Sequence, residues 1–155
     1  MLKDKIKKIL RILLKPQNRV LTYYKISKYL YDKGFLFLAE LVRYRQAKYG
    51  CYISEQSIIH STVAFPHSVG IVIGEGVVIE ENVKIWQNVT IGSHGKKNSI
   101  QEYPYIESGV KIFAGATIIG GIRIGKNSII GANCVVLSDV PANTTAVGVP
   151  YKNNK

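Results

Sequence analysis

The amino-acid sequence predicts an all-β repeat fold, a parallel β-helix entered through a short α-helical segment. Three observations carry this. Large apolar residues recur every six positions from Ile53 to Val136. No helical period appears after residue 53, so a sheet with intervening helices is excluded. The first fifty residues, by contrast, show helical periodicity and a quite different charge.

At the N-terminus, Leu2, Ile6, Ile9, Leu10 and Leu13 share one helical face, and Lys3, Lys7, Lys8, Arg11 and Lys15 fall mostly elsewhere. Pro16 ends that pattern. A second helix is expected from about Val20 to Tyr31 and a third from about Phe35 to Tyr49, separated by Asp32-Lys33-Gly34. Residues 1–50 hold 13 Lys/Arg against Asp4, Asp32 and Glu40, a net of +10, whereas residues 51–155 carry only +1. The chain therefore divides into a basic, amphipathic helical segment, 1–50, and a repeat domain, 51–155. The aromatics are dense in the first part: Tyr23, Tyr24, Tyr29, Tyr31, Phe35, Phe37, Tyr44 and Tyr49. Two roles suit such helices, and they are compatible: capping the open end of a β-helix, and peripheral contact with an anionic membrane.

In the repeat domain the anchors are Ile53, Ile59, Phe65 and Ile71, then, after a two-residue slip, Ile73, Ile79, Ile85 and Ile91. They resume at Ile106, Ile112, Ile118, Ile124, Ile130 and Val136. Small or β-branched residues follow four positions after most anchors, among them Val77, Val83, Val89, Val110, Ala116, Ser128 and Cys134. A period of six gives a short strand and a sharp turn, and three such walls close a coil of about 18 residues. The interval 92–105 breaks the register with a polar, glycine-containing stretch. It reads as a loop extruded from one corner, the kind of segment that serves function on a rigid scaffold.

Composition narrows the function classes. Cys51 and Cys134 form neither a disulfide framework nor a zinc motif and fit a reducing, cytoplasmic setting. No apolar run is long enough to span a bilayer, and no signal peptide is evident. Nucleic-acid-binding motifs are absent, so a nucleic-acid partner is not expected. The acids are scattered and no His/Cys cluster forms, so no metal is expected. Of the three histidines, His60 lies at a turn, His94 in the stem of the loop, and His67 at the slip in the register, where the wall is irregular.

Three segments stand out within the repeat: His67-Ser-Val-Gly-Ile-Val-Ile-Gly-Glu75, Val89-Thr-Ile-Gly-Ser-His-Gly-Lys96 and Ile112-Phe-Ala-Gly-Ala-Thr-Ile-Ile-Gly120. On these, the sequence from Ile53 to Lys152, about two-thirds of the chain, resembles the serine acetyltransferase branch of the hexapeptide-repeat acyltransferases. The likeness continues through Ile130-Gly-Ala132, Asp139-Val-Pro141 and Gly148-Val-Pro-Tyr-Lys152. The sequence is still more similar in feel to small relatives that O-acetylate bacterial surface polysaccharides, whose helical lead-in the Tyr24-Lys-Ile-Ser-Lys-Tyr-Leu30 run resembles.

The resemblance implies a left-handed coil, acetyl-CoA as co-substrate, and a homotrimer with active sites shared between adjacent prisms. It makes His67 the general base, a role that imidazole suits near neutral pH. It places Ser93, Gly95 and Lys96 near the thiol end or phosphates of CoA, Ala114 and Ala132 beside the pantetheine arm, and Lys152 near the nucleotide. Three positions depart from the serine enzymes. Tyr52 stands where the base's orienting carboxylate would be, Pro66 where an acid precedes the base, and Tyr103 where a second histidine would be. Glu55, a backbone carbonyl or the Tyr52 hydroxyl remain candidates to orient His67. Tyr52, His94 and Tyr103 are expected to touch the acceptor. Because tyrosine rings suit sugars, the expected activity is O-acetylation of a surface polysaccharide or its sugar precursor, at the cytoplasmic face of the membrane. Serine O-acetylation in cysteine biosynthesis is the alternative, and a non-catalytic β-helix scaffold the third reading.

Overall fold

The computed structural model describes residues 16–95 and 103–151. The helix expected at 2–14, the central part of the 92–105 loop with Lys96, and Lys152 lie outside the described residues.

Helix α1 (Pro16–Asp32) is followed by α2 (Leu36–Tyr44) and a 3-10 turn, Arg45–Tyr49. Pro16 is the first residue of α1, a position where its missing N–H costs nothing. Gly34, at φ +81°, makes the break between the helices. Val20 and Tyr24 of α1 enter the same apolar cluster as the first coil of the repeat. The helices also satisfy that coil's exposed backbone. Tyr24 Oη donates to the Ser57 carbonyl at 2.8 Å, Lys28 Nζ donates to that of Glu55 at 3.1 Å, and Ile53 N–H donates to Gln46 Oε1 at 2.9 Å. Capping is thus observed directly, and it explains why Gln46, a polar residue, is fully buried.

The strands are β1 (Tyr52–Ile53), β2 (Ile58–Ile59), β3 (Val72–Ile73), β4 (Val78–Ile79), β5 (Lys84–Ile85), β6 (Thr90–Gly92) and β7 (Tyr105–Ile106). Then come β8 (Lys111–Ile112), β9 (Thr117–Ile119), β10 (Arg123–Ile124), β11 (Ile129–Ile130), β12 (Val135–Val136) and β13 (Thr145–Ala146). They stack in parallel as three walls: β1-β3-β6-β9-β12, β2-β4-β7-β10 and β5-β8-β11-β13. Two bridges, Ala64 to Lys84 and Ile124 to Val140, extend the third and second walls.

The hexad anchors are the core. In the first wall Ile53, Ile73, Ile91, Ile118 and Val136 stack in register, and every one is fully buried. Ile79, Ile106 and Ile124 form the second ladder, and Ile85, Ile112 and Ile130 the third. No single rung can bury itself, so the stack is the unit of stability. The register also shows where coils depart from the standard length. Phe65 to Ile73 takes eight residues rather than six, so the slip lies at the corner around His67-Ser68-Val69-Gly70. The last coil is short: Ile124 pairs with Val140, and Ile130 with Ala146. The period-six reading stopped at Val136 and missed Val140 and β13 for this reason.

Corners turn through left-handed residues. Gly70, Asn88, Gly115 and Asn133 all have φ between 56° and 72°, and they succeed one another on the corner between the third and first walls. An added Cβ at Gly115 would collide with the Asn133 side chain of the next coil, so the alternation of glycine and asparagine is a packing requirement as well as a dihedral one.

Candidate active site

The corner between the third and first walls gathers several of the expected residues, one per coil. His67 stands in the first coil, Gln87 in the second, Ala114 in the third and Ala132 in the fourth. His67 is exposed, held between buried Phe65 and Ser68. The two-residue slip makes this corner wider than the others, and His67 lies within the widened turn.

His67 Nδ1–H donates to Gln87 Oε1 at 3.0 Å. This contact fixes the tautomer that leaves the Nε2 lone pair to accept a proton. The Gln87 backbone is itself fixed, because its carbonyl accepts from Gly115 N–H at 3.0 Å. Trp86, next to Gln87, stacks on Phe113 with ring centroids 4.6 Å apart. Gln87 was not anticipated from sequence, although the coil length points to it: at the slip one coil takes 20 residues, and 67 and 87 are 20 apart.

The two side chains considered for orienting His67, Glu55 and Tyr52, are engaged with Arg43. Glu55 is buried beneath Arg43, whose Nε lies 3.2 Å from its carboxylate. Tyr52 is half exposed at the start of β1, and its ring lies under the Arg43 guanidinium, 4.9 Å from the centroid. Arg43 also pairs with Glu40, which holds that carboxyl below its usual range. A cavity of about 230 Å³ opens here, lined by Leu36, Arg43, Tyr52, Glu55 and Glu75 among others.

The loop residues occupy the opposite corner of the first wall. Ser93 Oγ accepts from Gly95 N–H at 3.2 Å, and the His94 ring packs over Gly120. Tyr103 lays its ring on Gly74 and Gly76, where an added Cβ would strike it, and its hydroxyl donates to Glu75 at 2.8 Å. Within one chain, His67 and the loop thus lie on different corners. His60 is a turn residue, its Nδ1 2.9 Å from Thr62 Oγ1. Tyr105 is covered by the Arg123 guanidinium at 4.5 Å and donates to Glu80 at 2.6 Å, which raises its phenol pKa.

Residues 103–138 match the family described as bacterial transferase hexapeptide (six repeats). The chain is 43% identical over 130 residues to a serine acetyltransferase of Buchnera aphidicola, covering 83% of this chain and 47% of that one. Among solved structures, a Neisseria gonorrhoeae serine acetyltransferase in complex with serine is 35% identical, with a TM-score of 0.83, over 92% of this chain and 59% of that one. A Brucella abortus serine acetyltransferase in complex with coenzyme A is 35% identical, with a TM-score of 0.80, over 85% and 53% respectively. The chain spans about half the length of the relatives it matches.

These likenesses overturn the expectation of a polysaccharide O-acetyltransferase, because the matched relatives are serine acetyltransferases. The geometry supplies a physical reason for the misreading. The tyrosine faces taken as sugar platforms are covered from within the chain, Tyr52 by Arg43 and Tyr103 by the Gly74–Gly76 turn. The coil is left-handed, as expected. In fold and in sequence, the chain is thus similar to the hexapeptide-repeat transferases, and resembles their serine acetyltransferase-like branch.

Proposed function

We propose that this chain is an acetyl-CoA-dependent O-acetyltransferase acting on the hydroxyl of L-serine, in the cytoplasm. The observation that carries the reading is the His67–Gln87 pair on a corner whose later coils carry the small side chains Ala114 and Ala132. His67 Nε2 takes the hydroxyl proton as the serine oxygen bonds to the acetyl carbonyl carbon, then returns it to the departing thiolate. Acetyl-CoA supplies the activated acyl group. The small corner residues leave a path for its pantetheine arm, and Ser93, Gly95, Lys96 and Lys152 are assigned to its two ends. Serine is a zwitterion, and the ionisable groups missing at positions 52 and 103 have substitutes nearby: Arg43 from α2, and Glu55 and Glu75 from the corner beside Tyr52.

The separation of His67 from the loop supports a site shared between chains. A substrate touching both is best placed between two chains, the His67 corner of one facing the Ser93–Tyr103 corner of the next, and a closed ring of such contacts makes a homotrimer. Light scattering should report three chains, and a stable, active monomer would refute the shared site.

The direct test is acetyl-CoA consumption with L-serine as acceptor. A kcat/KM of about 10⁴ M⁻¹s⁻¹ or more is expected; no turnover with serine despite measurable CoA binding would overturn the assignment. Two substitutions refine it. Gln87→Ala frees the imidazole to adopt the wrong tautomer and should lower kcat about tenfold with little change in the KM for serine. Gly76→Ala pushes the Tyr103 ring off its seat and should lower kcat/KM about tenfold, through displaced substrate contacts rather than lost fold. Circular dichroism and melting curves separate the two causes.

A further inference from the structure

Helix α2 is amphipathic in the wrong sense for a surface helix. The residue it buries is Ala39, 1% exposed, while its outward side carries Phe37 at 80%, Tyr44 at 73% and Leu41 at 50% exposure. Leu38 and the preceding Phe35 are also about half exposed. A helix covered only by water would carry polar residues there, and a contiguous apolar surface of this kind marks a contact with something else. The capping of the first coil does not use it, since α1 and the 3-10 turn make those contacts.

Charge identifies the occupant. Exposed Lys33 precedes α2 and exposed Arg45 and Lys48 follow it, Lys25 is exposed on α1, and the acid of α2, Glu40, is tied to Arg43. The first fifty residues together carry +10. Two copies pressed together through this face would bring like charges into contact, which is unfavourable. An anionic lipid surface meets the same charge with the opposite sign and receives the aromatic and aliphatic side chains into its interfacial layer. Nine residues of helix reach about 14 Å, too short to cross a bilayer, so α2 lies along the surface.

We propose that the outward face of α2, centred on Phe37, Leu41 and Tyr44, docks the protein on an anionic membrane. The proposal is independent of the acceptor, and its test does not measure catalysis. Co-sedimentation of the full chain with sucrose-loaded vesicles should show binding to mixed phosphatidylcholine–phosphatidylglycerol and at least about tenfold less to phosphatidylcholine alone, with the difference lost in high salt. Phe37→Ser with Leu41→Ser should weaken binding to anionic vesicles about tenfold or more while leaving the far-ultraviolet spectrum unchanged. Tyr44→Ser is the second variant, should the double one misfold, and should weaken binding about threefold. Wild-type protein that stays in the supernatant with anionic vesicles overturns the proposal. So does a variant that binds as wild type does, because the remaining basic residues would then be sufficient. Sedimentation velocity without vesicles decides the competing occupant: a smaller assembly in the double variant assigns the face to a second copy of the chain and overturns lipid docking.

Discussion

His67→Ala is expected to lower kcat for acetyl transfer by about 10²-fold or more with serine saturating, the usual scale for a general base. The structure predicts that the fold survives. His67 is exposed at a corner, outside the three isoleucine ladders, and its side-chain contact is the bond to Gln87. Loss of one exposed hydrogen bond costs about 1 kcal/mol or less, so the melting temperature should move by only a few degrees. A mutant with near-wild-type turnover would remove His67 from the chemistry. A mutant inactive only because it unfolds would show the same kinetic loss together with a lost melting transition, so both measurements are needed.

Ile118→Ala should have the largest effect on stability. Ile118 sits in the first-wall ladder between Ile91 and Val136 and is fully buried. Truncating such a residue removes its own burial and leaves a cavity that neighbouring coils close poorly, at a cost of about 2–5 kcal/mol. For a chain of this size that corresponds to a fall of about 10 °C in melting temperature. Because coils stack in one dimension, the damage should concentrate at the interfaces on either side of the substituted rung. Hydrogen exchange should therefore quicken at Ile91 and Val136 more than at Ile53. A melting temperature within 2 °C or so of wild type would mean that the ladders contribute far less than their burial implies.

The ladders were legible because a six-residue period has one economical explanation, and each anchor from Ile73 to Val136 is buried as the period requires. What was not legible arose where the period changes or where contacts join segments far apart. The last coil loses two residues, so Val140 and Ala146 fell out of register with the pattern although they complete two ladders. Gln87 reads as an ordinary polar corner residue until coil length is counted across the slip. Tyr103 looked like a substrate platform because its seat, Gly74 and Gly76, lies nearly thirty residues earlier and past a corner. In α2 the helix itself was legible, but only the packing of Ala39 reveals which side faces in. The acceptor was misjudged by weighing two substitutions, at 52 and 103, without the charged groups that the fold brings beside them from α2 and from Glu55 and Glu75.

Each coil advances the chain by one strand spacing, about 4.8 Å. The corner that holds His67, Gln87, Ala114 and Ala132 is therefore graduated like a ruler, with marks set by backbone hydrogen bonds rather than by side-chain choice. From the first mark to the fourth is about 14 Å. A long, thin co-substrate laid along it has its reactive end and its far end held at a separation counted in whole coils. Removing one coil between Gln87 and Ala132 would draw the far-end contacts toward the base by a single division while leaving the base and its partner untouched. Specificity for the length of an acyl carrier can thus change by insertion or deletion of one repeat, a route closed to folds whose sites are built from unlike elements.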